Sequence, residues 1–79
     1  MNASILIPLK KIFSDHFMMN IRRLSYTQDL SKDLRLNQYE FNEMLLYVEN
    51  EFHINIEDNE LPAIHTIGDL VYCVEKHRN

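Results

Sequence analysis

The chain has 79 residues, enough for one small domain around one core, and 46% of them are apolar, which excludes a disordered polymer. One Gly, two Pro and no Trp leave few breakers among many Leu, Ile, Met, Glu and Asn, so helices are expected. The net charge of −4 is uneven: all eight Lys and Arg lie within 1–35 or at Lys76 and Arg78, while 36–75 carries nine acids and neither Lys nor Arg. Such a segment repels nucleic acid and anionic membrane and suits a basic protein partner. The plainer reading is a solvated helix surface. A single Cys makes no internal disulfide. The Ile5-Leu6-Ile7 run is too short for a signal-peptide core or a membrane span. The expectation is a soluble cytoplasmic protein with no nucleic-acid or membrane partner.

The first predicted helix runs from about Ile5 to Met19, with Ile5, Leu9, Ile12, Phe13 and Phe17 at helical spacing. Pro8 suits a first turn, which places the regular start of the helix near it. Residues 20–36 hold no sustained period. They read as a long ordered loop pinned by Ile21, Leu24, Leu30 and Leu34, unusual in a domain this small.

The second helix begins at an Asn37 cap with Glu40 three residues on, the spacing of a capping box. Phe41, Met44, Leu45, Val48 and Phe52 then form an apolar stripe, with Glu40, Glu43 and Glu49 off it. The helix should end near Phe52 or His53. Ile54 and Ile56 read as loop anchors, because no partner strand is in sight. Glu57 to Leu61 can form one turn, and Pro62 disfavours a helical Leu61. The last helix starts at Thr66, with Asp69 as the reciprocal cap. It buries Ile67, Leu70, Val71 and Val74 and ends in Lys76, His77 and Arg78, which suit the negative end of its dipole.

Asp33-Leu34-Arg35-Leu36-Asn37-Gln38-Tyr39-Glu40 resembles the Asp-Leu-Gly-x-Asp-Ser-Leu-Asp signature of acyl carrier proteins. Other pieces follow in the family's order. Lys10-Lys11-Ile12-Phe13 is similar to a step of its first helix. Leu24, Leu30 and Asp33-Leu34 fall at its loop anchors. Val48-Glu49-Asn50-Glu51-Phe52 is similar to Leu-Glu-Glu-Glu-Phe, and Ile54-Asn55-Ile56-Glu57-Asp58 to its Ile-Pro-Asp segment. Thr66-Ile67-Gly68-Asp69-Leu70-Val71 is similar to Thr-Val-Gly-Asp-Leu-Val. The resemblance implies one all-α domain over 1–79, a four-helix carrier bundle. It also implies a long loop between helices one and two and a short third helix.

The departures sit where the family's chemistry sits. In that family the signature Ser carries 4'-phosphopantetheine through a phosphodiester. Here the position is Gln38, and a carboxamide has no hydroxyl to attack coenzyme A. The arm is therefore expected to be absent. Asn37 stands for Asp, Arg35 for Gly and Tyr39 for Leu. Tyr39 offers a phenol about 100° further round the helix, and Ser31 a hydroxyl a loop away. The resemblance also implies a partner-docking surface at Tyr39, Glu40, Glu43, Leu46, Glu49, Glu57 and Asp58. It would meet a basic patch on a biosynthetic enzyme or another carrier; exposed acids otherwise only solubilise.

No catalytic constellation is present. His16, His53, His65 and His77 lack metal-ligand spacing, so no metal site is expected, and Cys73, four residues before His77, reads as structural. The reading is a non-enzymatic accessory of fatty-acid, polyketide or related biosynthesis that acts by docking. The alternatives are a working carrier modified at an atypical residue and an interaction module outside acyl metabolism.

Overall fold

The computed structural model describes residues 3–20, 22 and 24–78. Its elements are α1 (Ala3–Phe17), α2 (Gln38–Phe52), a short 3₁₀ helix (Asp58–Ala63) and α3 (Ile67–Arg78). Among the described residues the only β-type pairing is an isolated bridge between Asp29 and Thr66. The buried side chains of α1, α2, α3 and the loops form one cluster. No described helix is long and apolar enough to cross a membrane.

Helix α1 buries Ile5, Leu6, Leu9, Ile12 and Phe13. It begins before Pro8 rather than near it. Burying Ile5 and Leu6 anchors the extra turn, and a proline this early removes only one helical hydrogen bond. The helix also stops at Phe17, two residues short of the expected Met19. Met18 turns to a left-handed φ of 55°, and the Met19 N–H returns to the Phe13 carbonyl at 3.2 Å.

The long loop is ordered by its own chemistry. Leu24, Leu30 and Leu36 are buried and Leu34 is half-buried; Ile21, the other expected anchor, lies outside the described residues. Asp29 Oδ1 accepts hydrogen bonds from the Ser31 N–H (2.9 Å), the Ser31 hydroxyl (2.9 Å) and the Lys32 N–H (2.8 Å). The loop is stapled to the start of α3 by Leu30 N–H to His65 O, Ile67 N–H to Gln28 O and Gly68 N–H to Tyr26 O. A Cβ at residue 68 would lie 3.1 Å from the Tyr26 carbonyl, so this close approach suits glycine.

Arg35 ends the loop at a φ of 61°, in the left-handed region. A side chain there costs about 1–2 kcal/mol relative to glycine, and glycine is what the resemblance implies at this position. Part of that gain is offset because glycine loosens the unfolded chain. Arg35→Gly is therefore expected to stabilise by about 1 kcal/mol. A denaturation midpoint that stays put or falls would show that the Arg35 side chain compensates for its own backbone.

Helix α2 starts at the expected cap. Asn37 Oδ1 accepts the Glu40 N–H at 2.8 Å and Glu40 Oε1 accepts the Asn37 N–H at 3.0 Å. Met44, Leu45 and Val48 are buried, whereas Phe41 and Phe52 are half-buried at the edge of the core. Phe52 ends the helix, and His53 takes the left-handed cap conformation. The segment after it is loop, as expected, with Ile56 buried and Ile54 half-buried.

The short helix continues through Pro62 to Ala63, past the expected stop at Leu61. A 3₁₀ turn suits the fixed φ of proline, and the Ile64 N–H closes the turn on Leu61 O at 3.0 Å. Helix α3 begins after Thr66, whose Oγ1 accepts the Asp69 N–H at 3.0 Å. Asp69 Oδ2 in return accepts the N–H groups of Thr66 and His65 at 3.0 and 2.9 Å. At the far end the Arg78 guanidinium sits over the Phe52 ring, 5.8 Å from its centroid, and donates to Ser4 Oγ at 3.3 Å.

Candidate functional site

The capping box fixes the first turn of α2, and Gln38 is its first residue. The side chain is exposed, and its Nε2 donates to Asn42 Oδ1 one turn on at 3.1 Å. Beside it lies a cleft of about 470 Å³ between α2, the loop and the short helix. Leu36, Phe41, Leu61 and Ile64 supply its apolar wall; Ser31 and Gln38 are among its polar groups.

The residues present do not fit a phosphodiester at Gln38. An amide nitrogen is delocalised into its carbonyl, and the side chain has no O–H. Ser31 is the hydroxyl in the same cleft, but it donates to Asp29 Oδ1. That carboxyl titrates below its ordinary value, chiefly because the Lys32 N–H and then the Ser31 hydroxyl bond its charged form. Tyr39 is 71% exposed, so its phenol faces solvent.

The residues predicted for docking divide into three groups. Tyr39, Glu43 and Leu46 follow helical spacing along one face of α2, and Tyr39 and Leu46 stand well out of it, Leu46 at 65% exposure. Glu57 and Asp58 are exposed at the start of the short helix. Glu40, Glu43 and Glu49 are all half-buried, and Glu40 and Glu49 already hold backbone. Glu40 closes the capping box, and Glu49 Oε2 accepts the Ile56 N–H at 2.8 Å, tying the end of α2 to the next loop.

A second cluster was not read from the sequence. Glu60 of the short helix meets α3, where His77 Nε2 donates to its two carboxylate oxygens at 2.9 and 2.8 Å. Lys76 Nζ lies 3.1 Å from Glu60 Oε1, and Cys73 Sγ lies 3.9 Å from the same oxygen. The Glu57 N–H first, then His77 and Lys76, pull the Glu60 carboxyl down to about 2. Burial first, and then the charge of Glu60, push the buried Cys73 thiol up, which suits a protonated structural cysteine rather than a nucleophile. The i, i+4 spacing of Cys73 and His77 was visible; the arrival of Glu60 from another element had no periodic signal.

No protein-family model matches the chain. Individual relatives do. An acyl carrier protein of Cylindrotheca sp. (strain N1) is 30% identical over 67 residues, covering 85% of this chain and 84% of the relative. The acyl carrier protein AcpP of Rhizobium meliloti (strain 1021) is 31% identical over 68 residues, covering 86% and 87%. The solved structure of an acyl carrier protein from Enterococcus faecalis superposes with a TM-score of 0.78 at 26% identity over 94% of each chain. Relatedness at this level along nearly the whole length, carried on the same all-helical bundle, establishes that the chain belongs to the acyl carrier protein family.

Proposed function

We propose that this protein is a carrier-fold accessory of fatty-acid, polyketide or related biosynthesis that bears no 4'-phosphopantetheine at Gln38. Its relatives are carriers by name, and it is not an enzyme. It acts by docking the face of α2 that presents Tyr39, Glu43 and Leu46, with Glu57 and Asp58 beside it. The partner is a basic patch on a biosynthetic enzyme or a second carrier. What supports this reading is the carboxamide of Gln38 at the start of an intact, capped α2.

The deciding experiment is intact mass after incubation with coenzyme A and a broad-specificity phosphopantetheinyl transferase. The wild-type chain is expected to gain nothing. Gln38→Ser restores a hydroxyl and is expected to react slowly and incompletely, because Arg35 and Tyr39 also depart from the family pattern. An adduct on the unmutated chain, mapped by peptide mass to Ser31 or Tyr39, would establish the atypical-carrier alternative instead.

Docking by surface acids has its own signature. Each exposed ion pair contributes about 1 kcal/mol or less, and 1 M salt shortens the screening length to about 3 Å. Partner binding should weaken as salt rises, and Glu43→Lys should slow association more than it speeds dissociation. Binding indifferent to both would move the interface to another face.

A further inference from the structure

We propose that Glu60, Cys73 and His77 form a zinc-binding site that clamps the short helix to α3. This goes beyond the docking function and is independent of the fate of Gln38. The three side chains supply one carboxylate, one thiol and one imidazole, each a donor type that zinc takes, and three protein ligands leave one position open. One ligand atom from each residue lies within 4.8 Å of the others.

The contacts already have the scale of a coordination polyhedron. Zinc–ligand bonds of about 2.0–2.3 Å at a tetrahedral angle put neighbouring ligand atoms about 3.3–3.8 Å apart. His77 Nε2 is 2.9 Å and Cys73 Sγ 3.9 Å from the same oxygen, Glu60 Oε1, so these two distances bracket that range. The triad's atoms lie within 4.8 Å of one another, so an ion entering it needs shifts of up to about an ångström, within the reach of side-chain rotation. On binding, the Cys73 S–H proton leaves to solvent and the thiolate bonds the metal. The Nε2–H of His77 moves to Nδ1 or to solvent, freeing the Nε2 lone pair.

Position and access support the same reading. Cys73 and His77 are one turn apart on α3, a rigid platform, while Glu60 comes from the short helix, so the ion would join two elements. A cleft of about 330 Å³, lined in part by Glu60, Cys73 and Lys76, gives an ion an entry path and leaves room for water as the fourth ligand. Lys76 is the built-in competitor: its ammonium pairs with Glu60 but is 53% exposed, so it can swing away.

The test uses the full reduced chain, freed of metal with a chelator and titrated with cobalt(II). The expected result is saturable binding of one equivalent, with a thiolate-to-cobalt charge-transfer band in the near ultraviolet and visible bands of tetrahedral cobalt. Zinc should displace the cobalt and raise the thermal midpoint. Cys73→Ala should abolish the charge-transfer band. His77→Gln and Glu60→Gln should each weaken binding at least about tenfold, while His65→Gln, at an exposed position outside the triad, should change nothing.

Lys76→Met should tighten binding several-fold, because it removes the competing cation and leaves the three ligands in place. This variant keeps the test decisive if a ligand substitution fails to fold. Cobalt bound without the thiolate band would overturn the proposal. So would a band that survives both His77→Gln and Glu60→Gln at unchanged affinity.

Discussion

Phe13→Ala is expected to destabilise the protein by about 3–5 kcal/mol. The ring is fully buried at the centre of the α1 face, against the single core cluster. It also meets Phe17 at 6.0 Å between centroids in a tilted pair. Its removal leaves a hole that α2 and α3 cannot fill without leaving their own packing. Domains of this size have about 5–15 kcal/mol in total, so the variant should lose much of its denaturation midpoint. Phe13→Leu keeps most of the volume and should cost less than half as much. Equal losses for the two would mean that the site relaxes freely and that Phe13 is not the keystone of α1. Phe52, which the sequence placed in the core stripe, is a weaker position. It is half-buried under Arg78, and Phe52→Ala should cost about 1–2 kcal/mol.

Asp69→Ala is expected to cost about 1–2 kcal/mol and to make the protein less sensitive to acid. One carboxylate oxygen holds the N–H groups of both His65 and Thr66, at the point where the long loop is stapled to α3. Alanine leaves two backbone donors without this partner and loosens the Asp29–Thr66 bridge beside it. The His65 N–H first, and then Thr66, lower the Asp69 carboxyl below its ordinary value.

The sign of the pH effect follows. A carboxyl depressed in the folded state contributes stability that is present above its unfolded value of about 3.9. That stability is lost as pH falls through the folded value. Asp29 is depressed in the same direction by the Lys32 N–H and the Ser31 hydroxyl, so the loop and the start of α3 should loosen together in acid. The thermal midpoint of the wild type should fall as pH is lowered from 5 to 3. Asp69→Ala should start lower and fall less steeply. Parallel acid profiles for the two proteins would remove Asp69 from this account.

In the proposed docking, the α2 face offers a basic surface the exposed Tyr39 and Leu46 with the half-buried Glu43 between them. The cleft lies next to the carboxamide, bounded by the short helix. Glu60, on that helix, ties it to α3 through His77 and Lys76. Zinc at the triad would therefore stiffen one wall of the cleft.

Local patterns determined what the sequence alone could determine. The α2 cap at Asn37 and Glu40, the Thr66–Asp69 start of α3 and the burial of Met44, Val48, Leu70 and Val74 follow from chemistry within a few residues or from a 3.6-residue period. That Gln38 has no hydroxyl is legible in the same way, because it depends on one side chain. Tertiary structure decided the rest. Ile5 and Leu6 carry α1 back past Pro8 because the core takes them, and the short helix runs through Pro62 because a 3₁₀ turn tolerates it. Glu49 read as a surface acid until the fold brought the Ile56 N–H group to it. Glu60 meets Cys73 and His77 across 13 and 17 residues of chain. Only the packing of the short helix against α3 creates that cluster, since contacts between elements leave no periodic trace in the sequence.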